Sequence, residues 1–124
     1  MNTKITDGLH YCSKLSFRRV WNAMKVVSSF YISKWTKSPV QWGIPISITF
    51  EPTTSCNLRC PECPSGKREF TRPTGMLQND FFKTTIDEIY KEISYLIFYF
   101  QGEPFLNPKF LEMVNYSCSL LRLN

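Results

Sequence analysis

Hydrophobic positions in residues 11–37 recur mostly three and four apart: Leu15, Phe17, Val20, Trp21, Met24, Val27, Tyr31, Ile32 and Trp35, with Lys14, Arg18, Arg19, Lys25 and Lys34 between them. That period predicts an amphipathic helix. Pro39, Gly43 and Pro45 then break it and divide the chain into a basic helical segment, 1–40, and a second unit, 41–124. The period falls to two at Ile44, Ile46, Ile48 and Phe50, which predicts a strand that must stop at Pro52, a residue with no amide to donate. Residues 53–73 have no period at all and read as a long loop, which in an ordered domain is usually functional.

Helical spacing returns with Phe81, Phe82, Ile86, Ile89, Tyr90 and Ile93, and Asn79 or Asp80 is available as a cap. The unbroken apolar run Tyr95–Phe100 predicts a strand covered on both faces, as in a parallel sheet. After Gln101-Gly102-Glu103-Pro104, the pair Asn107-Pro108 supplies a cap and a first-turn proline for a last helix carrying Phe110, Leu111, Val114 and Cys118. Strand, loop, helix, strand, loop, helix is the order of a parallel α/β sheet with right-handed crossovers. Functional loops then sit at the C-terminal ends of the strands. Both unusual loops fall there, and they line one site if the strands are neighbours.

Charge changes the picture only for the first third. Residues 1–40 carry seven Lys/Arg against Asp7 alone, whereas residues 41–124 carry eight against nine acids. The leading reading of the helix is one packed on the rest of the protein with its basic face in water; docking to an anionic membrane or nucleic acid is the second reading. Nucleic acid is not an expected partner, since neither RNA-binding aromatic signatures nor zinc-finger histidines accompany the cations. The 124 residues suit one small domain, and 43% hydrophobic with 20% charged residues is too apolar for intrinsic disorder. No run reaches the roughly 20 apolar residues of a bilayer span, and the first residues lack a signal-peptide core, so the expectation is a cytoplasmic protein.

Five cysteines, an odd number, argue for a metal site with spare thiols over a disulfide framework. Cys56, Cys60 and Cys63 lie within eight residues, as C-x3-C-x2-C. Soft thiolates select iron–sulfur clusters, zinc or copper(I). A closed zinc site wants four ligands, and the remaining candidates, His10, Cys12 and Cys118, are remote in sequence. Three cysteines on a cubane leave one iron open to a small molecule. Cys12 and Cys118 read as small buried hydrophobes, and Arg59, Lys67, Arg68 and Arg72 as a solvated loop face that could meet an acidic substrate.

Here the sequence resembles the radical SAM superfamily, whose members hold a [4Fe-4S] cluster on a C-x3-C-x2-C loop after the first strand of a partial (βα)6 TIM-like barrel. Asn57 after the first cysteine fits, and Gln101-Gly102-Glu103-Pro104 looks like the family's GGEP element. The run EPTTSCNLRCPECPSG is similar to members that often carry a C-terminal SPASM extension. The resemblance covers roughly residues 44–124. It implies that Cys56, Cys60 and Cys63 ligate three irons and that Gly102, Glu103 and Pro104 help seat the methionine moiety of S-adenosylmethionine. It further implies reductive cleavage of that cofactor to a 5′-deoxyadenosyl radical, hydrogen abstraction from a substrate that could be a peptide or protein, and an electron donor such as flavodoxin or ferredoxin. The chain departs from the family at Glu62, where an aromatic residue is usual, and at Gln101, which replaces the first glycine of GGEP.

A full eight-unit barrel takes about 250 residues, and residues 44–124 hold about two βα units. The expectation is therefore the N-terminal part of a longer enzyme, inactive alone. The alternatives are a small structural zinc module whose basic helix binds membrane or nucleic acid, and a nonfunctional fragment.

Overall fold

A computed structural model describes residues 15–121. In chain order it contains α1 (Phe17–Thr36), β1 (Ser47–Thr49), a one-turn helix α2 (Pro64–Lys67), α3 (Asn79–Ile89), β2 (Tyr95–Ile97), a 3-10 turn (Pro104–Leu106) and α4 (Phe110–Leu121). The two strands pair in parallel, with Ser47, Ile48 and Thr49 opposite Tyr95, Leu96 and Ile97. The ladder is extended at both ends by Ser94 N–H donating to Ile46 O at 2.8 Å and Phe50 N–H to Ile97 O at 2.9 Å. A parallel pair joined through α3 leaves both C-terminal ends on one edge, so the loops after Phe50 and after Phe100 emerge side by side.

The core is small. Phe50, Phe82, Ile86, Ile93 and Met113 are buried, and Ile48 and Leu96 from the strands and Phe98 just after β2 pack against them. The Phe82 ring lies edge-on to Phe50 at 4.8 Å and tilted against Phe98 at 5.3 Å, a geometry that aromatic quadrupoles favour. Helices α3 and α4 thus cover one sheet face. The expectation that Tyr95–Phe100 is covered on both faces fails among the described residues, because Tyr95, Tyr99 and Phe100 are exposed. An unbroken apolar run reports hydrophobic content and says nothing of which face meets a partner.

Three local expectations are also corrected. Helix α3 ends at Ile89 and Tyr90 rather than running to Ile93, and its cap position is Gln78, with Asn79 already inside the first turn. The loop 53–73 contains α2, with Pro64 at its first position; a proline after a potential cap is a helix-start signal. Cys118 is exposed, and the inward positions of α4 are Met113 and Ser117. Cys12 and His10 lie outside the described residues.

The largest correction concerns α1. Its buried residues are Arg19, Asn22 and Ser29, while Val20, Trp21, Met24 and Val27 face outward. The reason lies at the N-terminal ends of the strands, where loop carbonyls need donors. Asn22 Nδ2 donates to Ile44 O at 2.9 Å, Ile44 N–H donates to Asn22 Oδ1 at 3.1 Å, and Arg19 Nη2 donates to Tyr90 O at 3.1 Å. The polar side of α1 satisfies these groups, and its apolar stripe is left on the outside.

Charge also ties α3 to α4. Glu112 accepts from Lys83 Nζ and Asn79 Nδ2, both at 2.7 Å, and from Lys109 Nζ at 3.1 Å. The bond from Lys83, then those from Asn79 and Lys109, pull the Glu112 carboxyl down to about 2. A carboxyl with a depressed folded-state pKa stabilises the fold above its unfolded value and loses that contribution as pH falls towards the folded one. Thermal unfolding followed by circular dichroism is therefore expected to show wild type above Glu112→Gln at pH 5, with the gap closing between about pH 4.5 and pH 2. The pair is exposed and the effect is small. A gap independent of pH would refute the assignment.

Candidate metal centre

Pro52 ends the first strand and turns the chain outward; it is buried, and its carbonyl is held by Leu77 N–H at 2.9 Å and by Asn107 Nδ2 at 2.8 Å. Asn107 is itself buried and also donates to Leu77 O at 3.1 Å. One side chain from the segment after β2 thus pins both ends of the cysteine loop. A second clasp lies just beyond: Thr54 N–H donates to Gly75 O at 3.1 Å and Thr53 Oγ1 to the same oxygen at 3.0 Å. Residues 54–75 therefore leave and rejoin the domain at a single point.

Within the loop, Cys60 and Cys63 are linked by a backbone bond, Cys63 N–H to Cys60 O at 3.3 Å. Cys63 is the residue from which α2 starts, and Lys67 N–H returns to its carbonyl at 2.9 Å. The amides of Gly66 and then Ser65 point at the Cys63 thiol and lower its pKa below the ordinary value. Backbone donors favour the thiolate, the form that binds metal. Gly66 sits against the backbone of Cys60, where a Cβ would come within 2.5 Å of both N and O. Only glycine allows the second and third cysteines to be folded together this closely. Cys56 and Cys63 are half-buried and Cys60 is exposed.

The turn after β2 is bonded to this loop. Glu103 N–H donates to Ser55 O at 2.8 Å, and Gly102 N–H to Ser65 Oγ at 3.2 Å. Gly102 has φ +81°, and a Cβ on it would lie 2.1 Å from Thr53 O. Glu103 caps the 3-10 turn, its carboxylate accepting from Phe105 N–H at 3.3 Å, with Pro104 at the first position of that turn. Arg72 spans the two strand ends, 2.8 Å from Glu51 and 3.2 Å from Gln101, with its guanidinium over Phe70. Gln101, the departure from GGEP, thus has a partner of its own, and Arg72 is committed to this bridge. Beside Cys56 opens a cavity of about 280 Å³ lined by Thr54, Ser55, Ser65, Arg68, Phe70 and Arg72.

The structure brings Cys56, Cys60, Cys63, Gly102, Glu103 and Pro104 to one end of the sheet. Among the described residues no three His, Cys, Asp or Glu side chains converge to hold a single metal ion. A cubane asks for something different, since each of its irons takes one thiolate and the three sulfurs need not meet at a point. The donor set of three thiols on one short loop, one of them biased towards the thiolate, fits a cluster. Ser55, Ser65 and Gly66 went unnoticed in the sequence; the Cys63-Pro64 pair is the local signal that could have marked the turn holding the last two.

Seventy-five residues, 59% of the chain, are 37% identical to mycofactocin maturase MftC of Mycobacterium tuberculosis, in both strain CDC 1551 / Oshkosh and strain ATCC 25618 / H37Rv. The protein of the same name from Mycobacterium ulcerans is 36% identical over 75 residues. This similarity supports membership of the radical SAM superfamily. The matched stretch covers 18–19% of those proteins, so the chain corresponds to about a fifth of the length of the curated relatives it matches. No family model matches the chain. No solved structure matches it either.

Proposed function

We propose that this chain is the cluster- and S-adenosylmethionine-binding portion of a radical SAM enzyme acting on a peptide or protein, with β1 and β2 as the first two strands of a partial TIM-like barrel. The observation that carries this reading is the bonding of the turn at Gly102 and Glu103 to the cysteine loop at Ser65 and Ser55. Two strand-end loops that the resemblance assigns to one cofactor pair are physically one unit. Cys56, Cys60 and Cys63 would hold a [4Fe-4S] cluster, which when bound supplies an electron and an open iron to S-adenosylmethionine. The chain's own residues do the rest by placement. Ser65 orients the Gly102 peptide, Gly102–Pro104 form the wall for the methionine end, and Arg72 locks the two strand ends at a fixed distance. The peptide substrate is proposed from the relatives, which are named maturases, and the resemblance of residues 51–66 to SPASM-bearing members supports the same reading. A flavodoxin or ferredoxin is the proposed electron donor.

Anaerobic reconstitution with iron and sulfide, followed by EPR of the reduced protein with and without S-adenosylmethionine, tests this reading. The expected result is a cluster signal whose g-values change when the ligand is added. Failure to form a cluster, a signal indifferent to the ligand, or stoichiometric zinc in place of iron would each overturn it.

A further inference from the structure

We propose that the outer face of α1 lies on an anionic lipid surface, a role independent of the cluster reading. A helix normally turns its apolar stripe inward. Here Arg19, Asn22 and Ser29 are turned inward, and Phe17, Trp21, Met24, Val27, Tyr31 and Trp35 form an exposed stripe three to four residues apart, with Trp21 52% and Trp35 86% accessible. Such a stripe in water is costly for a soluble domain unless something covers it.

Three observations say what covers it. Arg18 and Lys25, seven residues apart, run along one border of the stripe, and Lys34, seven residues after Val27, lies on the other. No acidic residue occurs between Asp7 and Glu51; Lys25 shares a cleft with Glu88 and Glu92, and Arg18 and Lys34 are the exposed cations that the helix presents. An apolar centre rich in Trp and Tyr with cations at both margins matches the acyl boundary and headgroup layer of a bilayer. The third observation is placement. The inner face of α1 is bonded to the carbonyls of Ile44, Tyr90 and Glu92, at the N-terminal ends of the strands, whereas the cysteine loop and the Gly102 turn leave the opposite end. Val20, Met24 and Val27 border a cleft that reaches Ile46 and Ser94 at the near edge of the sheet, whereas Phe17, Trp21, Tyr31 and Trp35 are exposed beyond it. No helix among the described residues is long and apolar enough to cross a membrane, so the contact is one along the surface. A second exposed apolar group among the described residues, Tyr95, Tyr99, Phe100 and Phe105, belongs to β2 and the loop after it.

The test is flotation of the full chain with vesicles of phosphatidylcholine alone and of phosphatidylcholine with phosphatidylglycerol, with tryptophan emission recorded in a Trp42→Phe background. The expected result is flotation with the anionic vesicles only, a blue shift from Trp21 and Trp35, and release at ~1 M salt, where screening reaches about 3 Å. Arg18→Glu with Lys34→Glu should weaken binding at least roughly tenfold at low salt, and Trp21→Glu with Met24→Glu should abolish it. All four positions lie on the accessible side of α1, so helicity by circular dichroism should be unchanged. Absence of flotation overturns the proposal, as does equal binding to neutral vesicles. A concentration-dependent dimer that Met24→Glu dissociates, in a chain indifferent to vesicles, would make this face a contact between copies and overturn it too. Tighter binding to DNA than to vesicles would have the same force.

Discussion

Replacing Cys56, Cys60 and Cys63 together with alanine is expected to take the reconstituted chain from ~4 bound irons to none, with its secondary structure intact. The thiols contribute no packing to the cluster of Phe50, Phe82, Ile86, Ile93 and Met113, so their removal leaves the core as it is. Each single replacement should lose most of the iron, because two thiolates cannot hold a cubane against chelation. Cys118→Ala should lose none, since Cys118 is exposed on α4, away from the loop. Iron and sulfide analysis after desalting, paired with circular dichroism, reads the result. Retention of iron by the triple variant would remove the basis for assigning a cluster here.

Gly102→Ala is expected to be the most damaging glycine-to-alanine change among the described residues. Its φ of +81° alone costs an L-residue about 1–2 kcal/mol. The new Cβ would also stand 2.1 Å from Thr53 O and 2.9 Å from Ser55 O, both backbone atoms that are tied to the Gly75 segment and to Glu103 and cannot swing aside. Together these should lower stability by roughly 3 kcal/mol, a large share of what a small domain has. Gly75→Ala is the contrast, since nothing lies within 4 Å of its added methyl. Urea unfolding of the two variants should separate them by at least about 2 kcal/mol. The EPR response to S-adenosylmethionine should also fall in Gly102→Ala, because the Gly102 amide would leave Ser65. Equal midpoints for the two variants would show that the turn relaxes freely and is not a fixed wall.

Much of the site was legible because it is written in local spacing. Three cysteines within eight residues must share a loop, and Pro52 and Gly102-Glu103-Pro104 announce the strand ends around them. What spacing could not show is how the two loops are joined. The bonds from Glu103 to Ser55, from Gly102 to Ser65 and from Arg72 to both Glu51 and Gln101 link residues 21 to 48 positions apart, and none has a local signature. Arg72 read as a solvated loop cation for the same reason. Gln101 read as a departure from a family pattern, and its partner came into view only when β1 and β2 were set side by side.

The hydrophobic pattern by itself determined that a helix lies within residues 11–37, that Ile44–Phe50 and the apolar run Tyr95–Phe100 contain strands, and that the cysteines lie between a strand and a helix, since each follows from the geometry of adjacent residues. Which way each element faces was decided by the tertiary structure alone. Helix α1 turned its asparagine and arginine inward because the carbonyls of Ile44, Tyr90 and Glu92 had to be satisfied, and a buried group without a partner costs more than an apolar stripe left in water.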